Sequence, residues 1–128
     1  MGHLSLEGLV FSGKGEGTKF TSFPWVKSQI KEKFGFTPAA GTLNLKLMPG
    51  SIKIRRRLSN LSGIEIVPAQ NHCRGTMFRA KLENLECGVV FPDVLDYPED
   101  VVEIVAQENL RKRLGLIDGS KARILVIT

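Results

Sequence analysis

The stretch Gly41-Thr42-Leu43-Asn44-Leu45-Lys46-Leu47-Met48 decides the class of fold. Leu43, Leu45 and Leu47 fall on one face of an extended chain, and Thr42, Asn44 and Lys46 fall on the other. Alternation with a period of two marks a strand with one buried face. The spacing predicts a strand over 42–48 that carries two neutral oxygen donors, Thr42 and Asn44, on its polar face.

The segments on either side are of the same kind. Upstream, Leu4 to Ser12 alternates as a half-buried strand, and Gly13 to Gly17, with three glycines in five residues, reads as a loop. Lys19 to Phe23 reads as a second strand. Pro24 then opens a helix over Trp25 to Phe34, with Gly35 at the position of a C-terminal cap. Downstream, Pro49, Gly50 and the run from Lys53 to Asn60 read as a basic connection without pattern. Strands are expected at Gly63 to Pro68, Gly75 to Leu82, Cys87 to Phe91, Val101 to Ala106 and Ala122 to Ile127. Pro92 to Asp100 reads as an acidic loop, and Gln107 to Leu114 as a short helix ended by Gly115. Many short strands with two short helices predict a mainly β fold, a closed or nearly closed barrel, in one domain over 1–128.

Composition bounds the function. With 128 residues, 42% hydrophobic and 24% charged, the chain can bury a core without disulfide or metal staples. No apolar run approaches the roughly 18 residues of a membrane span, and the start MGHLSLEGLVF lacks the layout of a secretory signal. Two cysteines, Cys73 and Cys87, are too few and too widely spaced for a disulfide framework or a four-ligand zinc site. A reduced, cytoplasmic protein without a membrane partner is the expectation. The net charge of +5 is unevenly spread. Residues 1–82 hold 13 Lys/Arg against 4 Asp/Glu, and residues 83–110 hold eight acids and no Lys or Arg. A basic first half points to an anionic partner such as a nucleotide.

Four segments can carry chemistry. Gly13-Lys14-Gly15-Glu16-Gly17-Thr18 can turn backbone amides toward a phosphate, with a tight hairpin as the plainer reading. It is neither a Walker A loop nor a Rossmann fingerprint, the latter because a strand is expected to follow. Thr42 and Asn44 offer neutral hard ligands suited to magnesium shared with phosphates, or else a solvent-facing strand surface. Glu103, within Val101-Val102-Glu103-Ile104-Val105, is either a buried carboxyl that holds or deprotonates a hydroxyl, or an edge residue reaching solvent. Arg55-Arg56-Arg57 can grip phosphates or form a solvated loop. His72 beside Cys73 lacks a third partner for a metal site.

Together these pieces resemble one family. The order is Gly-x-Gly-Glu-Gly, then Phe-Pro and an aromatic helix ending Phe34-Gly35-Phe36-x-Pro38, then Gly41-Thr42-Leu43-Asn44-Leu45, and much later Val-Val-Glu-Ile-Val-Ala before a Leu-Arg helix and a closing Gly-Leu-x-Asp-Gly. The chain resembles, over nearly its whole length, the CTP-dependent riboflavin kinases known mainly from archaea. The resemblance implies a six-stranded cradle-loop barrel that transfers the γ-phosphate of CTP to riboflavin, giving FMN and CDP, with Mg2+ assistance. Carried over by motif, Gly13, Lys14, Gly15, Glu16, Gly17 and Thr18 would cradle the nucleotide. Glu108, Asn109, Leu110 and Arg111 would line its cytidine side. Thr42 and Asn44 would hold the magnesium. Glu103 would contact the flavin's ribityl chain, with Leu95 at the position of a second flavin contact. The family has a basic residue at the place of Thr18, a threonine at that of Leu95 and often a proline at that of Gln107. Two other classes stay open: a non-catalytic relative that binds nucleotide or flavin, and a DNA-binding barrel. The latter has no need of the glycine-rich loop together with 41–44, so nucleic acid is not the expected partner. Oligomeric state is not written in the sequence.

Overall fold

The computed structural model describes residues 2–13, 16–68 and 74–128, with only the backbone at 16–18. Its elements run β1 (His3–Phe11), α1 (Glu16–Ser22), α2 (Pro24–Phe34), β2 (Leu43–Leu47), α3 (Pro49–Leu58), β3 (Ile64–Ile66), β4 (Gly75–Leu82), β5 (Leu85–Pro92), β6 (Val101–Ala106), α4 (Leu110–Leu114) and β7 (Lys121–Ile127). Six strands, in the order β4-β5-β6-β2-β1-β7, form an antiparallel sheet that closes when β7 pairs with β4. The closure uses only the second half of β4, where Ala80, Lys81 and Leu82 face Val126, Leu125 and Ile124. The first half of the same edge pairs with β3, which stands outside the barrel. The expected six-stranded barrel is therefore present.

Two apolar clusters hold it together. Inside the barrel, alternate residues of every barrel strand meet, among them Leu6, Leu45, Phe78, Val89, Ile104 and Ile124. A second cluster covers the outer face of β4, β5 and β6, through Met77, Val90 and Val105, with Val26, Ile30 and Phe34 of α2 and Phe20 of α1. Strands buried on both faces read as continuous apolar runs, which explains Cys87 to Phe91 and Val101 to Val105. Leu58 of α3 and Leu110 of α4 join the inner cluster. These helices follow antiparallel neighbours β2 and β6, so they reach it from opposite ends. The first and last strands pair over seven positions, and beyond them Gly2 and Thr128 exchange backbone hydrogen bonds of 3.2 and 2.9 Å.

The structure bears out the strand at 42–48, the other expected strands beyond it, and the helix opened by Pro24. Gly35 caps that helix at φ 84°, a left-handed conformation that glycine adopts without strain. It corrects two expectations. Lys19 to Phe23 is not a strand: it belongs to α1 and the turn after it, so a helix follows the glycine-rich segment, and Glu16 and Gly17 are its first residues. Phe20 and Phe23, three apart, both turn toward Trp25, at ring distances of 5.8 and 5.7 Å. A five-residue segment is too short for periodicity to tell this from a strand. The stretch after Pro49 is likewise helical, as α3. Pro49 takes its first turn and Ser51 and Leu58, two turns apart, face the protein. Arg55, Arg56 and Arg57 fill the last turn, where cations suit the exposed carbonyls. There are thus four short helices among the described residues, not two. None is long and apolar enough to cross a membrane.

Burial pushes the Cys87 thiol up to about 12, so this cysteine is an inert part of the inner cluster. His72 and Cys73 lie outside the described residues. Gly75 sets how closely α1 docks. A Cβ placed on it would collide with the buried ring of Phe20. Gly75→Ala is expected to lower stability by about 1–3 kcal/mol through overpacking, read as a lower urea midpoint. An unchanged midpoint would mean that the ring has room to move.

Candidate active site on the outer face of β2 and β6

Register builds the site. Asn44 of β2 stands opposite Glu103 of β6 on one side and Phe11 of β1 on the other. Because Val105 faces the outer cluster, Glu103, two residues earlier, also points out of the barrel. It is nonetheless 0% exposed, which removes the edge-strand reading. A buried carboxyl requires partners for both oxygens, and it has them. The Thr42 hydroxyl donates to Glu103 Oε1 at 2.8 Å, and the Tyr97 hydroxyl donates to Glu103 Oε2. The Thr42 hydroxyl also lies 3.0 Å from Asn44 Oδ1, so its single proton is shared between two acceptors. Asn44 Nδ2 donates to the carbonyl of Gly13 at 3.1 Å, which ties the start of the glycine-rich segment to the same cluster.

Two cavities meet at these side chains. One, about 250 Å³, is lined by residues 39–43 and 108–111, Thr42 included. The other, about 380 Å³, is lined by Gly13, Asn44, Glu103 and residues 94–98. Thr42, Asn44 and Glu103 thus form the wall between two pockets, each able to take part of a ligand. Leu95, 90% exposed, stands at the rim of the second.

The segment before and within α4 is held against the end of β1. Arg111 donates to Asp118 Oδ1 at 2.7 Å and to Ser12 Oγ at 3.1 Å, and Ser12 Oγ donates to Asp118 Oδ1 at 2.8 Å. The Arg111 hydrogen bond, then that of Ser12, holds the Asp118 carboxyl below its ordinary value. Asn109 caps α4, its Oδ1 accepting from the Lys112 amide at 3.1 Å. Glu108 pairs with Arg113 at 3.3 Å, and Leu110 is buried in the inner cluster. Arg111 is thereby held at Ser12, the residue before Gly13. The expectations for Lys14 and Gly15, and those on the side chains of Glu16 and Thr18, lie outside the described residues.

The donor set bears on a metal. No group of three His, Cys, Asp or Glu stands together among the described residues. Thr42 Oγ1, Asn44 Oδ1 and one carboxylate are hard oxygens, too few for a protein-only cage. They fit a magnesium ion that takes its other ligands from phosphates and water.

Sequence reasoning missed Tyr97 and the packing of Arg55 against it. Tyr97 is the only tyrosine of the chain, in an otherwise acidic loop six residues before Glu103, and a lone aromatic there was the available signal. Arg55, offered by the sequence as a phosphate grip or a solvated loop residue, packs against aromatic rings in the structure. Its guanidinium lies over the rings of Phe91 at 5.0 Å and Tyr97 at 5.8 Å, and its Nε donates to the Val101 carbonyl at 3.2 Å. Arg56 makes a two-pronged pair with Glu99, at 2.6 and 2.7 Å.

A closed barrel with a polar wall between two outer pockets places the chain among the small antiparallel β-barrel proteins. The chain belongs to the family whose model, CTP-dep_RFKase, is described as "Domain of unknown function DUF120" and matches residues 10–126. Among curated proteins, the riboflavin kinase of Pyrobaculum islandicum is 42% identical over 125 residues, covering 94% of this chain and 59% of that protein. The riboflavin kinase of Methanosarcina acetivorans is 38% identical over 122 residues, covering 92% and 52%. That of Archaeoglobus fulgidus is 35% identical over 130 residues, covering 98% and 56%. The chain thus spans between half and three fifths of the length of these relatives.

The Arg111–Asp118–Ser12 tether has a testable pH signature. A carboxylate whose value is lowered by folding contributes stability above its ordinary value, here 3.8, and loses it as pH falls through the lowered one. Asp118→Asn is expected to lower the melting temperature at pH 7, with the gap to wild type closing as pH falls below that ordinary value. A gap that stays constant with pH would contradict the tether.

Proposed function

We propose that this chain transfers the γ-phosphate of CTP to the 5′-hydroxyl of riboflavin, giving FMN and CDP. The observation that carries the reading is the Thr42–Asn44–Glu103 wall between two pockets, one beside residues 108–111 and one beside Leu95 and Tyr97. A phosphoryl transfer needs two ligands brought end to end at such a wall. Family membership and relatives named riboflavin kinase support it. The choice of CTP rests on the name of the family model.

In this reading the nucleotide lies along Gly13 to Thr18 and the 108–111 segment. The flavin enters the larger pocket with its ribityl end toward Glu103. The Glu103 carboxylate, its two oxygens fixed by Thr42 and Tyr97, orients the 5′-hydroxyl and takes its proton. The new bond joins that oxygen to the γ-phosphorus, the bond to the β-phosphate bridging oxygen breaks, and CDP leaves with the electron pair. Thr42 and Asn44 would hold Mg2+, which when bound neutralises phosphate charge. The buried wall keeps bulk water from competing for the phosphoryl group.

The test is turnover by the purified chain with riboflavin, Mg2+ and either CTP or ATP, with FMN separated by chromatography. FMN formed with CTP and not with ATP is the expected result. No FMN with either, from folded protein, would sink the reading. Glu103→Gln is expected to lower kcat by about 10²–10⁴-fold, the usual range for a general base, with riboflavin binding retained. Unchanged turnover would remove Glu103 from the chemistry.

A further inference from the structure

The carboxyl group of Glu103 is held from a side that the family motifs do not touch. Its Oε2 accepts from Tyr97, which sits in the loop between β5 and β6. Backbone bonds tie that loop down at both ends, from Asp93 N–H to the Arg74 carbonyl at 2.8 Å and from Leu47 N–H to the Asp100 carbonyl at 2.6 Å, and Tyr97 N–H reaches the Val94 carbonyl at 3.3 Å. These bonds fix the Tyr97 backbone, and the aim of its hydroxyl depends further on what grips its ring. Arg55 does so from α3: its guanidinium stacks between Phe91 of β5 and Tyr97, while its Nε reaches the Val101 carbonyl, two residues before Glu103. Desolvation is the largest influence on this guanidinium, as expected for a cation packed between rings. One side chain thus joins a helix, two strands and the loop.

We propose that Tyr97, held by Arg55, is a positioning residue that fixes the Glu103 carboxylate so that its Oε1 edge meets the acceptor hydroxyl. The inference rests on the kinase reading above and deepens it. Glu103 has three rotatable side-chain bonds, and a strand fixes only its Cα. A donor on each oxygen, Thr42 on Oε1 and Tyr97 on Oε2, fixes both ends of the carboxylate and opposes its rotation. Misplacement by about 1 Å at a reacting group can cost about 10²-fold in rate.

The experiment is a double-mutant cycle on the purified chain with CTP, riboflavin and Mg2+. Tyr97→Phe removes one hydroxyl and keeps the ring against Arg55. It is expected to lower kcat by about 10- to 100-fold, with the KM for CTP within about twofold. In a Glu103→Gln background the same change is expected to alter kcat by less than about twofold, since a residue acting through Glu103 has nothing left to position. Arg55→Met should move kcat in the same direction by a smaller factor. A second readout does not depend on turnover: in protein carrying carbon-13 at glutamate side-chain carboxyls, Tyr97→Phe is expected to shift the Glu103 resonance. An unshifted resonance, an unchanged kcat, or an equal loss in the Glu103→Gln background overturns the inference while the kinase reading stands. A wild-type chain that makes no FMN overturns both.

Discussion

A carboxyl group stripped of water has to find its hydrogen bonds in the protein, and Glu103 imposes that condition on everything around it. The side chain sits at an outer position of a strand whose next outward residue, Val105, faces a dry cluster. Its partners must come from other segments, and they do: Thr42 from just before β2, and Tyr97 from the loop before β6. Asn44 is placed beside it by strand register and in turn fastens Gly13. Gly13, the polar strand and the 92–100 loop converge on one point because one buried group needs them. The same hydrogen bonds that make the burial affordable leave a fixed carboxylate facing a pocket.

Much of the fold could be read from pattern because the barrel strands are one-sided or two-sided in a consistent way. Leu43, Leu45 and Leu47 alternate because β2 buries one face in the barrel. Val101 to Val105 runs continuous because β6 is covered on both. Pattern failed where an element was short or where charge masked it. In α1 only Phe20 among its described side chains joins a core cluster, and one anchor makes no period. In α3 the run Arg55-Arg56-Arg57 hides the spacing of Ser51 and Leu58, and a helix was read as a basic connection.

The site divides along the same line. Thr42, Asn44 and Glu103 were legible because strand geometry fixes which residues share a face, and an acid in an apolar strand stands out. The supports were not. Ser12, Arg111 and Asp118 meet across as many as 106 positions of sequence, and no local signal foretells that meeting. Tyr97 and the ring contacts of Arg55 were hidden for a related reason, since a loop residue has no period and a basic run masks the helix that carries Arg55. Strand residues of the site announce themselves, while the residues that brace them become visible only once the chain is folded.

The pairing of β1 with β7 makes the chain almost a ring. Gly2 and Thr128 are bonded to each other at the end of that ladder, so the two ends of the fold emerge side by side. A short bridge between them would leave every strand pair in place, and the chain could then be opened elsewhere, at the exposed Glu83-Asn84 turn between β4 and β5, without unmaking the barrel. The wall formed by Thr42, Asn44 and Glu103 lies on β2 and β6, away from both the present ends and that turn. The pocket geometry is therefore a property of the cyclic order of strands rather than of where the polypeptide starts.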